Sequence, residues 1–125
     1  MKLLQRKIDS ILKEWKKNEN RLPLIVKGAR QVGKTASILQ FAHSNYKNVV
    51  AINFVLQPKY KAIFEEGYEV DDIIRNLTLI DPSLKIEPTN TLIFFDEVQD
   101  CPASAAGLTA SEMDCAYKVI CSGSL

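Results

Sequence analysis

What the chain lacks limits its roles before any motif is read. It has no long hydrophobic run: stretches such as Leu24–Val26 and Leu92–Phe95 fall far short of the roughly 20 apolar residues that a membrane-spanning helix requires. It shows no secretory leader, because Lys2, Arg6, Lys7, Asp9 and Lys13 interrupt the first turns. No membrane contact and a cytoplasmic location are the expectations. Cysteine is scarce and odd in number, three residues at Cys101, Cys115 and Cys121, with no CxxC or CxxxH spacing. That pattern argues against a zinc site and for buried thiols in a reducing compartment. Histidine occurs once, at His43, near the end of an expected helix where a cation suits the dipole. Net charge is almost absent: sixteen Lys+Arg against fifteen Asp+Glu leave +1, so the total selects no class of partner.

What is present is a globular composition. The 125 residues are 46% apolar and 25% charged, enough for one domain with a core and too few for two. The charge is unevenly spread. Residues 1–34 hold ten basic and three acidic side chains, and residues 35–125 hold six and twelve. The basic N-terminal third points to an anion.

The pattern of apolar residues predicts alternating helices and strands. Residues 2–18 read as a helix with Leu4, Ile8, Ile11, Leu12 and Trp15 on one face and Lys13, Lys16 and Lys17 near its end. Strands are expected at Leu24–Val26, Asn48–Phe54, Thr91–Phe95 and Tyr117–Cys121. Helices are expected from Lys34 to Ser44, at Pro58–Glu66, at Val70–Leu79 and at Ala103–Met113. Turns fall at Asp81-Pro82-Ser83 and Glu87-Pro88-Thr89. Such alternation predicts an α/β fold with right-handed crossovers and a parallel sheet.

One loop carries the strongest chemical signal. Gly28-Ala29-Arg30-Gln31-Val32-Gly33-Lys34-Thr35 matches G-x-x-x-x-G-K-[ST] at every specified position. Glycines at 28 and 33 let the backbone approach an anion closely, and successive N–H groups then form a phosphate nest. The helix that follows adds its positive end. Lys34 is placed to reach the β- and γ-phosphates of a nucleotide, and Thr35 to offer its hydroxyl to Mg²⁺. The motif follows an apolar strand and opens an amphipathic helix, which is the context it requires.

A second motif lies downstream. Leu92-Ile93-Phe94-Phe95-Asp96-Glu97 is an apolar strand ending in two carboxylates. Ligands of a doubly wound sheet sit beyond the C-terminal ends of its strands, so this pair and the phosphate loop share one edge. Asp96 would hold Mg²⁺, directly or through water, and Glu97 would deprotonate the water that attacks the γ-phosphate. The guanine-reading patterns D-x-x-G and N-K-x-D do not occur, so ATP is the expected nucleotide. Ser122, at the end of the fourth strand, would lie between the first and third strands, close to a γ-phosphate. Asn53 ends the second strand and could hydrogen-bond Glu97, holding it away from water.

Two function classes remain open. One is an ATPase, slow in this chain alone: Arg75 is the only arginine after the phosphate loop, so an arginine finger would come from a neighbouring copy. The other is a non-hydrolysing, nucleotide-gated module whose basic helix contacts DNA through Lys2, Arg6, Lys7, Lys13, Lys16 and Lys17. A small-molecule kinase is disfavoured, because Asp96-Glu97 suits water activation better than acceptor binding.

GARQVGKT, INF, LIFFDEVQDCP and YKVICSGS together resemble the predicted AAA+ superfamily ATPases of bacteria and archaea. The resemblance covers essentially the whole chain. It implies a P-loop NTPase fold of the AAA+ type with strand order 5-1-4-3-2. It implies Lys34 and Thr35 as the Walker A pair and Asp96 and Glu97 as the Walker B pair. Ser122 would be the sensor 1 residue, with Ser124 as second choice, and Asn53 the polar switch residue. Members of the family continue past the position of Leu125 into a fifth strand, a helical lid and a C-terminal domain. The chain is therefore expected to be the N-terminal part of an ATPase core. A helix over 1–20 would precede a P-loop unit over 22–125, and the Leu24–Val26 strand would lie at a sheet edge.

Overall fold

A computed structural model of the protein describes residues 2–17, 24–27, 34–65, 70–87, 89–102 and 118–123. In chain order these form α1 (Lys2–Lys17), β1 (Leu24–Lys27), α2 (Lys34–Asn45), β2 (Asn48–Asn53), a 3₁₀ segment (Pro58–Phe64), α3 (Val70–Ile80), β3 (Thr91–Asp96), a 3₁₀ turn (Val98–Asp100) and β4 (Lys118–Gly123). The four strands make one parallel sheet in the order β1-β4-β3-β2. This is the 1-4-3-2 part of the expected order, and β1 pairs only with β4 among the described strands.

The sheet has helices on both faces, and the period-two alternation of strand side chains sorts them. Leu92, Phe94 and Ile120 face α1 and α2, where they pack with Ile8, Leu12, Trp15, Ile38 and Ala42. Ile93, Phe95, Val119 and Cys121 face the other way, onto Tyr60, Ile63 and Phe64 of the 3₁₀ segment and Ile73 and Leu77 of α3. Central β3 is buried at all six positions, as a strand covered on both sides must be. Phe95 stacks on Phe54 with ring centroids 5.7 Å apart and meets Phe64 edge-on at 5.8 Å.

Helix α2 buries Lys34, Ser37, Ile38 and Ala42 along one stripe, which sets its first turn against the sheet. Helix α1 packs beside it through Ile8, Leu12 and Trp15, and Trp15 meets Phe41 at 6.3 Å. Ile11 is 40% exposed, because residues 8, 12 and 15 define a stripe too narrow to include it.

Several boundaries shift by a residue from expectation, and three differences have clear physical reasons. Strand β4 runs on through Ser122 and Gly123, because β1 continues alongside it with Val26 opposite Ser122 and Lys27 opposite Gly123. Strand β2 stops at Asn53, since Phe54 already turns away into the core. The helix expected at Pro58–Glu66 is a 3₁₀ segment with proline in its first turn, ending at Phe64. The expected helix at 103–113 lies outside the described residues.

Cys101 and Cys121 are both buried, as expected of structural thiols. Burial pushes the Cys121 thiol up to about 12. Cys121 in the native protein should therefore resist iodoacetamide at pH 8 and react after denaturation, as read by mass spectrometry of the labelled peptide. Phe95→Ala should lower unfolding free energy by about 3–5 kcal/mol, measured by urea denaturation, because the cavity opens beneath two aromatic partners.

Candidate functional site

The parallel register brings the expected site residues to one edge. Asn53 of β2 is the Cα partner of Asp96 of β3, and Phe95 is the partner of Cys121, one residue before Ser122 of β4. Alternation then puts Asn53, Asp96 and Ser122 on the same face as Val49, Phe94 and Ile120, the face that α2 covers. The first turn of α2 carries Lys34 and Thr35 to that edge.

The decisive contact joins the two motifs. The Thr35 hydroxyl donates to Asp96 Oδ2 at 2.9 Å, across 61 residues of sequence. Asp96 is buried at 6% exposure, and its other oxygen, Oδ1, accepts the N–H of Glu97 at 2.9 Å. A shallow cleft of about 120 Å³ opens here, lined in part by Thr35, Asn53, Gln57 and Asp96.

The donor set suits a small hard cation. Mg²⁺ takes oxygen ligands at about 2.0–2.1 Å in an octahedron, whose adjacent corners lie about 2.9 Å apart. The Thr35 and Asp96 oxygens already have that separation. Among the described residues no group of three or more His, Cys, Asp or Glu side chains converges.

Two polar groups at this edge are buried without partners among the described residues. Lys34 is 7% exposed and has no ion-pair partner among the described residues. Ser122 is fully buried, and its hydroxyl has no hydrogen-bond partner among the described residues. Buried charges and hydroxyls are ordinarily paired, and an unmade hydrogen bond costs about 1–3 kcal/mol. A phosphate group would satisfy both.

Glu97 adopts the left-handed conformation, φ 58° and ψ 46°. For a residue with a Cβ this costs roughly 1–2 kcal/mol and persists only where the surroundings enforce it. Its N–H is held by Asp96 Oδ1, its carbonyl accepts from the N–H of Asp100 at 3.1 Å, and its Oε2 accepts from Gln99 Nε2 at 2.6 Å.

The bond expected from Asn53 to Glu97 has a different local solution. Asn53 Oδ1 accepts the N–H groups of Val55 at 2.9 Å and Leu56 at 3.0 Å, satisfying the tight turn that leaves β2. The side-chain donor described at Glu97 is Gln99. No role is expected for Gln99 from the sequence, although it falls within the LIFFDEVQDCP stretch that carries the resemblance, two residues after the acidic pair. Gln57 was also missed; its Oε1 accepts the Asn53 N–H at 3.2 Å beside the cleft. The loop residues Gly28, Ala29, Arg30, Gln31, Val32 and Gly33, and Ser124, lie outside the described residues.

A family model for the AAA domain matches residues 20–125. The chain belongs to the AAA-domain family. No curated protein matches the chain at a significant level. An AAA domain brings nucleotide binding of the AAA type, and the four-stranded parallel sheet flanked by helices agrees with it. Among the described residues no helix is long and apolar enough to cross a membrane.

The end of β4 in this AAA domain is closely fitted to the turn after β3. A Cβ on Gly123 would stand 2.8 Å from Gln99 Oε1 and 2.9 Å from Val98 Cγ2. Gly123→Ala should therefore destabilise the protein by about 1–3 kcal/mol through overpacking, seen as a lower melting temperature.

Proposed function

We propose that this AAA domain binds ATP with Mg²⁺ and hydrolyses it to ADP and phosphate. The observation that carries the reading is the 2.9 Å hydrogen bond from Thr35 to Asp96, which joins the phosphate-loop helix to the acidic strand end. The family match supports the nucleotide.

In this reading the backbone of Gly28–Thr35 cradles the phosphates. Lys34, already stripped of water, places its ammonium against the β- and γ-phosphates at no further desolvation cost. Thr35 and Asp96 hold Mg²⁺, which when bound neutralises the charge that develops on the phosphate oxygens. Glu97 accepts the proton of the attacking water, from a backbone already fixed at its N–H and its carbonyl. The buried Ser122 hydroxyl donates to the γ-phosphate. Asn53 lines the same cleft from the neighbouring strand. A neighbouring copy supplies an arginine, a contribution of about 10³–10⁵ in rate, so turnover by isolated copies is slow.

Calorimetry with Mg-ATP tests binding. Lys34→Ala should weaken it at least about tenfold, since a hydrogen bond to a charged group is worth about 1.5–3 kcal/mol. Glu97→Gln should keep the affinity and slow hydrolysis about 10²–10⁴-fold. A folded wild-type protein with no affinity for ATP would sink the reading.

A second reading has one observation in its favour. Lys13, Lys16 and Lys17 line a cleft of about 420 Å³ together with Phe41 and Asn45, and Lys7 is exposed on the same helix. That basic cleft suits a DNA backbone. DNA affinity carried by these lysines would fall steeply between 50 and 200 mM salt; a flat response would remove this reading and leave nucleotide binding untouched.

A further inference from the structure

We propose that Gln99 is a positioning residue for Glu97, and that its side-chain amide, more than the strand-end Asn53, sets where the Glu97 carboxylate stands. The inference rests on the ATPase reading given above and adds a residue to it.

The geometry assigns the amide's orientation without ambiguity. A carboxylate only accepts hydrogen bonds, so the Gln99 atom 2.6 Å from Glu97 Oε2 is the NH₂ nitrogen. The amide oxygen then faces the end of β4, where Gly123 leaves room for it: a Cβ at that position would be 2.8 Å away. Gln99 thus spans from the strand that carries Ser122 to the carboxylate of Glu97. Its own backbone sits in the 3₁₀ turn Val98–Asp100, closed by the N–H of Cys101 on the carbonyl of Val98 at 3.0 Å. Val98 anchors that turn in the core at 5% exposure. The turn thus gives the Gln99 side chain a hydrogen-bonded base anchored in the core.

Glu97 has two backbone tethers, its N–H and its carbonyl, which set the left-handed turn. Neither involves the carboxylate, which is reached through three side-chain torsions. The Gln99 amide restrains it. The Gln99 donor engages one of the roughly four acceptor positions of the carboxylate. Asn53 does not do this: its Oδ1 accepts from the N–H groups of Val55 and Leu56, and its Nδ2 makes no hydrogen bond to Glu97 among the described residues.

Two isosteric replacements separate donation from packing. Gln99→Glu keeps the shape and the oxygen beside Gly123 but presents no amide donor; Gln99→Met keeps the length with neither group. Each should lower kcat for ATP about 10- to 100-fold, the loss expected for one hydrogen bond to a charged group, with ATP affinity and KM within about twofold of wild type. Wild-type kcat in both folded variants would overturn the proposal, as would a parallel loss of affinity and kcat, which marks a merely structural role. A second readout needs no catalysis. The Gln99 side-chain amide resonance, assigned by its disappearance in Gln99→Glu, should shift in Glu97→Ala without nucleotide; an unmoved resonance overturns the proposal. Absence of ATP binding by the wild type would instead refute the ATPase reading, and the amide resonance would still decide the role of Gln99.

Discussion

The hydrogen bond from the Thr35 hydroxyl to the Asp96 carboxylate is the constraint on which the site depends. It forms only if the first turn of α2 docks over the end of β3. That docking needs β3 at the centre of the sheet and α2 on the correct face. The first condition follows from the six buried residues of β3, which no edge strand could carry. The second follows from the stripe Ser37, Ile38 and Ala42, which packs α2 against Leu92 and Phe94. One polar contact thus reports that two hydrophobic layers have assembled in register.

Around that contact the molecule tolerates features that oppose stability. Lys34 is buried without an ion-pair partner among the described residues, the Ser122 hydroxyl is buried without a hydrogen-bond partner among them, and Glu97 has a positive φ. Each costs on the order of 1–3 kcal/mol. They share one sheet edge; elsewhere among the described residues the Asn48 amide nitrogen is also buried without a hydrogen-bond partner and Thr89 also has a positive φ. The buried cation and the unmet hydroxyl at that edge suit an anion, because the ligand supplies the missing partners. The aromatic cluster of Phe54, Phe64 and Phe95 sits on the opposite face and supports β3 from below.

Much of this was legible in the sequence for identifiable reasons. The strand 91–96 is a continuous apolar run ended by charge, a pattern with few other outcomes. The α/β alternation predicted the parallel sheet, and the resemblance to AAA+ ATPases implied the order of the four strands described. The end of β4 was less legible: Ser122-Gly123 has the composition of a turn, and only pairing with Val26 and Lys27 keeps it extended. The segment after Pro58 has helical spacing, but its proline-initiated turn closes as 3₁₀. Ile11 has the apolar character of a core residue and lies outside the stripe because α2 is a narrow partner.

The sequence by itself determined the chemistry available: a lysine and threonine after a glycine-bounded loop, two carboxylates at a strand end, and a serine at another. These are properties of residue type and spacing, and spacing along a chain survives any fold that keeps the elements. The tertiary structure decided which of these groups meet. Thr35 finds Asp96 across 61 residues, and Glu97 is bound by Gln99 with Asn53 turned to its own loop. Such pairings depend on strand order, on which face each side chain takes and on which local donors the turns have already used. Those quantities are set by packing between distant segments, so no stretch of sequence read alone contains them.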